Sequence, residues 1–208
     1  MYKVSQALKN LTGIFFLTLF LTNTYGQSNL SLKYFGLTIH PFGDQLAHIQ
    51  PYRLDDKAHF VMNIGGFVKY EKYIWEDILA FNIAQGVFSD CSAGLASISS
   101  LGFHLLIKEK ERHRFYIDIG SALFIREDWN RFDDYKDSGG YKKISYANKN
   151  WQYGLYPLSG MFEYDYRVSD KTNFSVSLAP YPVIAIGMGI KYWFSKNFKH
   201  TSKILIPK

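Results

Sequence analysis

His104 and Asp118 are the pair in this chain best placed to do chemistry together. Each lies in a segment whose large apolar residues recur at every second position, and a tight turn at 108–112 joins the two segments. Antiparallel pairing about that turn sets imidazole and carboxylate nearly opposite each other on one face, which supplies a base and its orienter. These are two of the three parts of a hydrolase triad. Ser100 shares their face but lies four residues along the strand from His104, about 13 Å away at ~3.3 Å per residue. With no nucleophile in reach, the pair is expected to be structural.

Other chemistry-bearing residues are weaker candidates. Cys91 follows Asp90 and has no basic residue near it in sequence, as a low-pKa thiolate would need, so it is expected to be structural or incidental. As the single cysteine it forms no intrachain disulfide. Asp133, Asp134 and Asp137 precede Gly139-Gly140 but miss the alternating ligand spacing of a calcium loop, so no metal site is expected. Lys69, Glu71, Glu163, Asp165, Arg167 and Lys191 fall on the same face as His104 and Asp118 and toward the same end. They are expected to satisfy one another in a charge network that fills a narrow interior.

That face belongs to a sheet. From Ile184 to Phe194 the even positions are Ile, Ile, Met, Ile, Tyr and Phe, while the odd positions are Ala, Gly, Gly, Lys and Trp. Period two means a strand with one apolar and one mixed face. The same pattern predicts eight strands: 31–40, 59–71, 77–88, 92–107, 113–127, 151–167, 173–180 and 183–194. Tight connections at 72–76, 108–112 and 169–172 alternate with others that include the long 41–58 and 128–150. The expected fold is all-β, an eight-stranded antiparallel up-and-down transmembrane β-barrel.

The sign of the alternation decides between membrane and water. The predicted outward face, with Phe60, Met62, Ile64, Val68, Phe115, Ile117, Ile119, Tyr156, Leu158, Phe162, Val176 and Leu178, is free of charge. Lys or Arg there would cost about 2–4 kcal/mol at the bilayer midplane. A soluble ligand cup would put its charges on the other side. Ser97 and Ser99 are poor lipid contacts and make the fourth strand the least regular. The inward upper face is rich in Gly and Ala, with Phe67, Phe124, Trp151 and Tyr153 expected to fill it unless a ligand does.

Lys3 and Lys9 precede the apolar run from Ile14 to Leu21, which is too short to span a bilayer and has the layout of a secretory signal peptide. The expected organisation is a signal at 1–26, a barrel at 27–194 and a basic periplasmic tail at 195–208. Losing Lys3 and Lys9 lowers the formal charge from +6 to +4, and the remaining basic residues are scattered, so no nucleic-acid partner is expected. The 17 Phe and 16 Tyr suit the aromatic girdles of a barrel.

Signal, strand count, loop asymmetry and the aromatic ending Tyr192-Trp193-Phe194 together resemble the small outer-membrane barrels of Gram-negative bacteria, OmpA-like, OmpX-like and PagP-like in architecture. The resemblance covers the mature chain to Phe194 and implies a bacterial outer-membrane location. The partners it implies are outer-membrane lipid and lipopolysaccharide, the barrel assembly machinery, and an extracellular glycan or protein ligand. No cofactor is expected. The His-x-Ser motif of PagL-like enzymes is missing, since His40 is followed by Pro41-Phe42, His104 by Leu105-Leu106 and His113 by Arg114-Phe115. A structural or surface-interaction role is expected, with Trp129, Tyr135 and Tyr141 of the long loop making contacts. The alternative is a lipid-binding or lipid-modifying barrel with acyl chemistry in its Gly-lined interior.

Overall fold

The computed structural model describes residues 27–135, 140–146, 149–180 and 184–194. The expected signal at 1–26 and the tail from 195 lie outside the described residues. Among those described, the strands in chain order are β1 (Ser28–Ile39), β2 (Phe60–Met62), β3 (Gly65–Trp75), β4 (Leu79–Ser89), β5 (Leu95–Lys110), β6 (His113–Glu127), β7 (Lys142–Tyr146), β8 (Lys149–Arg167), β9 (Thr172–Ala179) and β10 (Ile184–Trp193). Eight of them form a closed antiparallel barrel in the order β1, β3, β4, β5, β6, β8, β9, β10. Pairing of β10 back onto β1, with Leu32 opposite Ile190, completes the ring, so none of the eight barrel strands is an edge. β2 and β7 are additions at the loop end, on β1 and β8 respectively.

The expected second strand, 59–71, is divided by Asn63-Ile64 into β2 and β3, and β3 runs on to Trp75. Its alternation survives the break: Phe60, Met62, Ile64 and Val68 are exposed, while Val61, Phe67, Lys69 and Glu71 are buried. In β5, Ser97 and Ser99 do face outward, and Ser99 Oγ donates to Gln85 Oε1 of β4 at 2.6 Å. Pairing two polar groups side by side lowers the cost of presenting either to hydrocarbon.

β8 departs from the expected phase. Gly120 pairs with Ser159 but Ala122 pairs with Tyr156, so Pro157 and Leu158 together oppose Ser121 as a bulge. The bulge reverses the alternation above it. Gln152 and Gly154 are buried and Leu155 is exposed, so Tyr153, opposite outward Ile125, is not the lumen filler expected. Tyr156, expected on the outer face, turns inward and meets Tyr141 Oη at 3.1 Å. Trp151 lies above the barrel, where its Nε1 donates to the Tyr146 carbonyl at 3.2 Å.

The barrel is inverted relative to a soluble protein. Leu32, Ile64, Phe103, Ile119, Leu155, Leu158, Phe162 and Ile190 are exposed on its outside, while Lys33, Lys69, Glu71, His104, Glu163, Asp165 and Lys191 are buried inside. Such a surface matches hydrocarbon and not water. Among the described residues no helix is long and apolar enough to cross a membrane.

Candidate functional site in the barrel lumen

The lower lumen is filled by charge. Lys69 Nζ lies 2.6 Å from Glu71 Oε1, 2.7 Å from Glu163 Oε2 and 3.0 Å from Asp118 Oδ2. Lys191 Nζ contacts Glu163, reaches Asp165 Oδ2 at 2.8 Å and Glu71 Oε2 at 3.3 Å, and Lys33 Nζ contacts Glu163 from β1. Neutral amides tie the same carboxylates: Asn29 Nδ2 donates to Glu71 Oε2 at 2.7 Å and Asn82 Nδ2 to Asp118 Oδ1 at 3.1 Å. These partners come from six strands, which is why they lie far apart in sequence. A lattice of this kind keeps each buried ion compensated.

His104 and Asp118 are register partners on β5 and β6, with Nδ1 2.5 Å from Oδ1. His104 is fully buried, stacks on Tyr116 at 4.1 Å between centroids and points Nε2 toward Glu71 at 3.5 Å. Three carboxylates surround this imidazole, Asp118, Glu71 and Glu163, and among the described residues it has no hydrogen bond to a Ser, Thr or Cys side chain. Glu71, His104 and Asp118 also have the spacing of a metal-ligand set. The ammonium of Lys69 stands between Glu71 and Asp118 and already provides the cation there.

Arg167 was expected in this network but belongs to a second cluster nearer the turns. Its Nη2 donates to Glu109 Oε1 at 3.0 Å, as do Arg114 Nε at 3.0 Å and Arg114 Nη2 at 2.8 Å. The reason is the length of β5, which runs on to Lys110 and brings a carboxylate into the floor. Tyr73, Ala80 and Trp193 pack beside it as a small buried apolar cluster.

Above the lattice the lumen opens into a cavity of about 430 Å³. Lys33, Asn82 and Asp118 form its floor, and Phe35, Phe67, Phe88, Ile98 and Phe124 line its wall. Gly102 and Gly120 face each other across β5 and β6, and a Cβ on either would collide with the neighbouring backbone. Small residues there let the strands close up and keep the space free of side chains.

The loops form a roof. Trp129 is buried and donates from Nε1 to Asp90 Oδ2 at 2.6 Å. The Arg126 guanidinium lies over the rings of Trp129, at 4.1 Å, and Tyr141, at 4.2 Å, and donates to Tyr135 Oη at 2.9 Å. Trp129, Tyr135 and Tyr141, expected as outward contacts, thus gather inward around one cation. Among the described residues, exposed aromatics at the loop end include Phe42, Tyr52 and Tyr146.

Sequence reasoning missed a constellation at the mouth. Cys91 Sγ lies 3.6 Å from His40 Nε2, and His40 Nδ1 lies 3.5 Å from Asp44 Oδ2. The basic neighbour that Cys91 lacks in sequence is supplied from 51 residues away, because the loops after β1 and β4 meet over the lumen. The only hint in the sequence was that both residues follow the upper ends of upward strands.

No family model matches the sequence, and no curated protein resembles it. Among solved structures, Ail of Yersinia pestis, described as an outer membrane protein and the attachment invasion locus protein, is similar at 14% identity and a TM-score of 0.44, over 82% of this chain and 100% of that one. A crystal structure of Ail with the heparin analogue sucrose octasulfate has a TM-score of 0.43. The N-terminal β-barrel domain of Pseudomonas aeruginosa OprF is similar at 14% identity and a TM-score of 0.39, over 82% of this chain and 100% of that one. Neisserial surface protein A is similar at 8% identity and a TM-score of 0.42, over 80% and 96%.

Proposed function

We propose that this chain is a bacterial outer-membrane barrel, exported by a signal at 1–26, that takes the acyl portion of an amphiphile into its upper lumen from the loop end. The observation that carries the reading is the division of the lumen. A barrel serving only as a scaffold has every reason to fill its interior, as the lower half does, yet the upper half holds about 430 Å³ lined by large apolar side chains, Phe35, Phe67, Phe88, Ile98 and Phe124 among them. That volume is in the range of small-molecule sites. Lys33 and Asp118 at the floor and Arg126, Asp44 and Asp90 at the roof put polar and charged groups at both ends of an apolar wall, which suits an amphiphile.

Two measurements test it. The protein should fractionate with the outer membrane and change its electrophoretic migration on boiling, as closed barrels do. Purified protein in vesicles should then enhance the fluorescence of cis-parinaric acid, and Ala122→Phe or Ile98→Trp, both at cavity-lining positions, should abolish the enhancement while the heat shift persists. Recovery as a soluble protein, or fluorescence unchanged by filling the cavity, overturns the reading.

A surface-contact role has its own observation. Phe42 is 98% exposed in the first loop. Phe42 and Tyr146 are the residues that a glycan or protein ligand would engage.

A further inference from the structure

We propose that Cys91, His40 and Asp44 form a nucleophile, a base and an orienter at the mouth of the cavity, and that their substrate is an acyl ester whose chain enters the lumen. This deepens the ligand class argued above and rests on it.

The geometry has the order that nucleophilic catalysis requires. The thiol meets one ring nitrogen of His40 and the carboxylate meets the other, at 3.6 Å and 3.5 Å. A metal chelate would turn all three donor atoms toward one point, whereas here the imidazole stands between its partners. Nucleophile, base and orienter in series is the general triad arrangement, and these distances lengthen when no substrate is bound.

The members are held from two loops, His40 and Asp44 after β1 and Cys91 after β4. The His40 amide donates to the His59 carbonyl at 2.8 Å, and the His40 carbonyl accepts from the Gly43 amide at 2.9 Å, which fixes the turn carrying Asp44. Asp44 Oδ1 accepts from the Leu46 amide at 2.8 Å, and Oδ2 accepts from Gln50 Nε2 at 2.5 Å, with Gln50 fully buried. Cys91 sits in a turn organised by Asp90, whose Oδ1 accepts from the amides of Ser92 and Gly94, both at 3.0 Å. All three triad members line the cavity that also holds Phe35, Phe67 and Phe88.

Protonation fits a base-assisted attack better than a resting ion pair. Burial pushes the Cys91 thiol up to about 11, with the Asp90 carboxylate adding to it, so the sulfur holds its proton at neutral pH. Burial also lowers the His40 imidazole, against the pull of Asp44, and a neutral ring is the form that accepts a proton. In the step itself Sγ attacks the ester carbonyl carbon while its proton passes to His40 Nε2. The carbon–oxygen bond to the alcohol then breaks, the alkoxide leaves with the proton from His40, and the acyl group stays as a thioester on Cys91. Water, deprotonated by His40, attacks that thioester, releasing a carboxylic acid and restoring the thiol.

The test uses full-length mature protein in vesicles of ether-linked phospholipid, which contain no competing ester, with p-nitrophenyl decanoate as probe. Release of p-nitrophenolate should accompany a mass gain of one decanoyl group, removable by hydroxylamine and absent from Cys91→Ala. His40→Gln should slow acylation by about 100-fold or more, as expected for loss of a general base. Asp44→Asn should slow it less, and both variants should keep the heat shift. If His40→Gln disturbs the loops, Asp44→Asn together with His40→Asn decides the matter by the same readout. Acylation of Cys91 at an unchanged rate in these variants overturns the proposal. If wild type and Cys91→Ala both bind cis-parinaric acid but no adduct forms, the triad fails and the pocket stands. If an adduct forms without parinaric binding, the triad stands and the acyl pocket fails.

Discussion

Asp118 divides its two carboxylate oxygens between Lys69 and His104: Oδ2 lies 3.0 Å from Nζ and Oδ1 lies 2.5 Å from Nδ1. This single residue therefore joins the lysine lattice to the imidazole, and it also forms part of the cavity floor. Stability and the shape of the pocket are coupled through it.

Removing one side of that junction gives unequal effects. Lys69→Met leaves Glu71, Asp118 and Glu163 facing one another without their shared cation and should cost about 3–5 kcal/mol, the range for breaking a buried ion pair. His104→Gln retains a donor for Asp118 and should cost about 1–3 kcal/mol. Urea unfolding in vesicles, followed by the heat shift, measures both; equal losses would mean that the lattice does not depend on Lys69.

Gly189 of β10 is a second pressure point. A Cβ there would collide with the Leu32 carbonyl oxygen of β1, across the seam that closes the barrel. Gly189→Val should therefore lower the yield of heat-shifted barrel sharply, whereas Gly66→Val, where a Cβ meets nothing within 4 Å, should leave it near wild type. Comparable yields for the two would show that the seam tolerates separation.

Orientation follows from the first and last strands: β1 begins and β10 ends at the end of the barrel that carries the short turns, so the loop holding Phe42 should face the outside of the cell. In a Cys91→Ala background, Phe42→Cys should react with a membrane-impermeant maleimide on intact cells. Reaction only after lysis would invert the barrel.

Asp55 gives a pH signature to the first loop. Slight desolvation would raise its carboxyl, but hydrogen bonds from the His59 and Phe60 amides, the His59 ring and the Lys57 amide outweigh this and hold it at about 2, down from 3.8. A carboxyl lowered on folding contributes stability above its unfolded value, and that contribution is lost as pH falls through about 2. The loop turn, where Ala58 adopts a φ of 52°, should stay protected down to roughly that pH in wild type. Asp55→Asn should remove the pH dependence, as amide exchange at His59 and Phe60 will report.

The sequence by itself determined the barrel, because a period of two with charge on one face and hydrocarbon on the other admits few solutions. It also brought His104 and Asp118 nearly opposite each other, although their register as partners rests on a two-residue turn at Glu111-Arg112 and a bulge between Leu106 and Lys108, neither of which the periodicity records. Only the tertiary structure decided what lies across the lumen. Lys69, Glu163 and Lys191 meet from strands that are not neighbours, and no local pattern records a contact through the middle of a barrel. The inward turn of Tyr156 needed the bulge at Pro157-Leu158, which slips the phase without any break in the apolar pattern. His40 and Cys91 meet because two loops of unequal length lean over the same opening, and loop paths depend on hydrogen bonds such as Gln50 to Asp44 and Trp129 to Asp90, which periodicity does not encode.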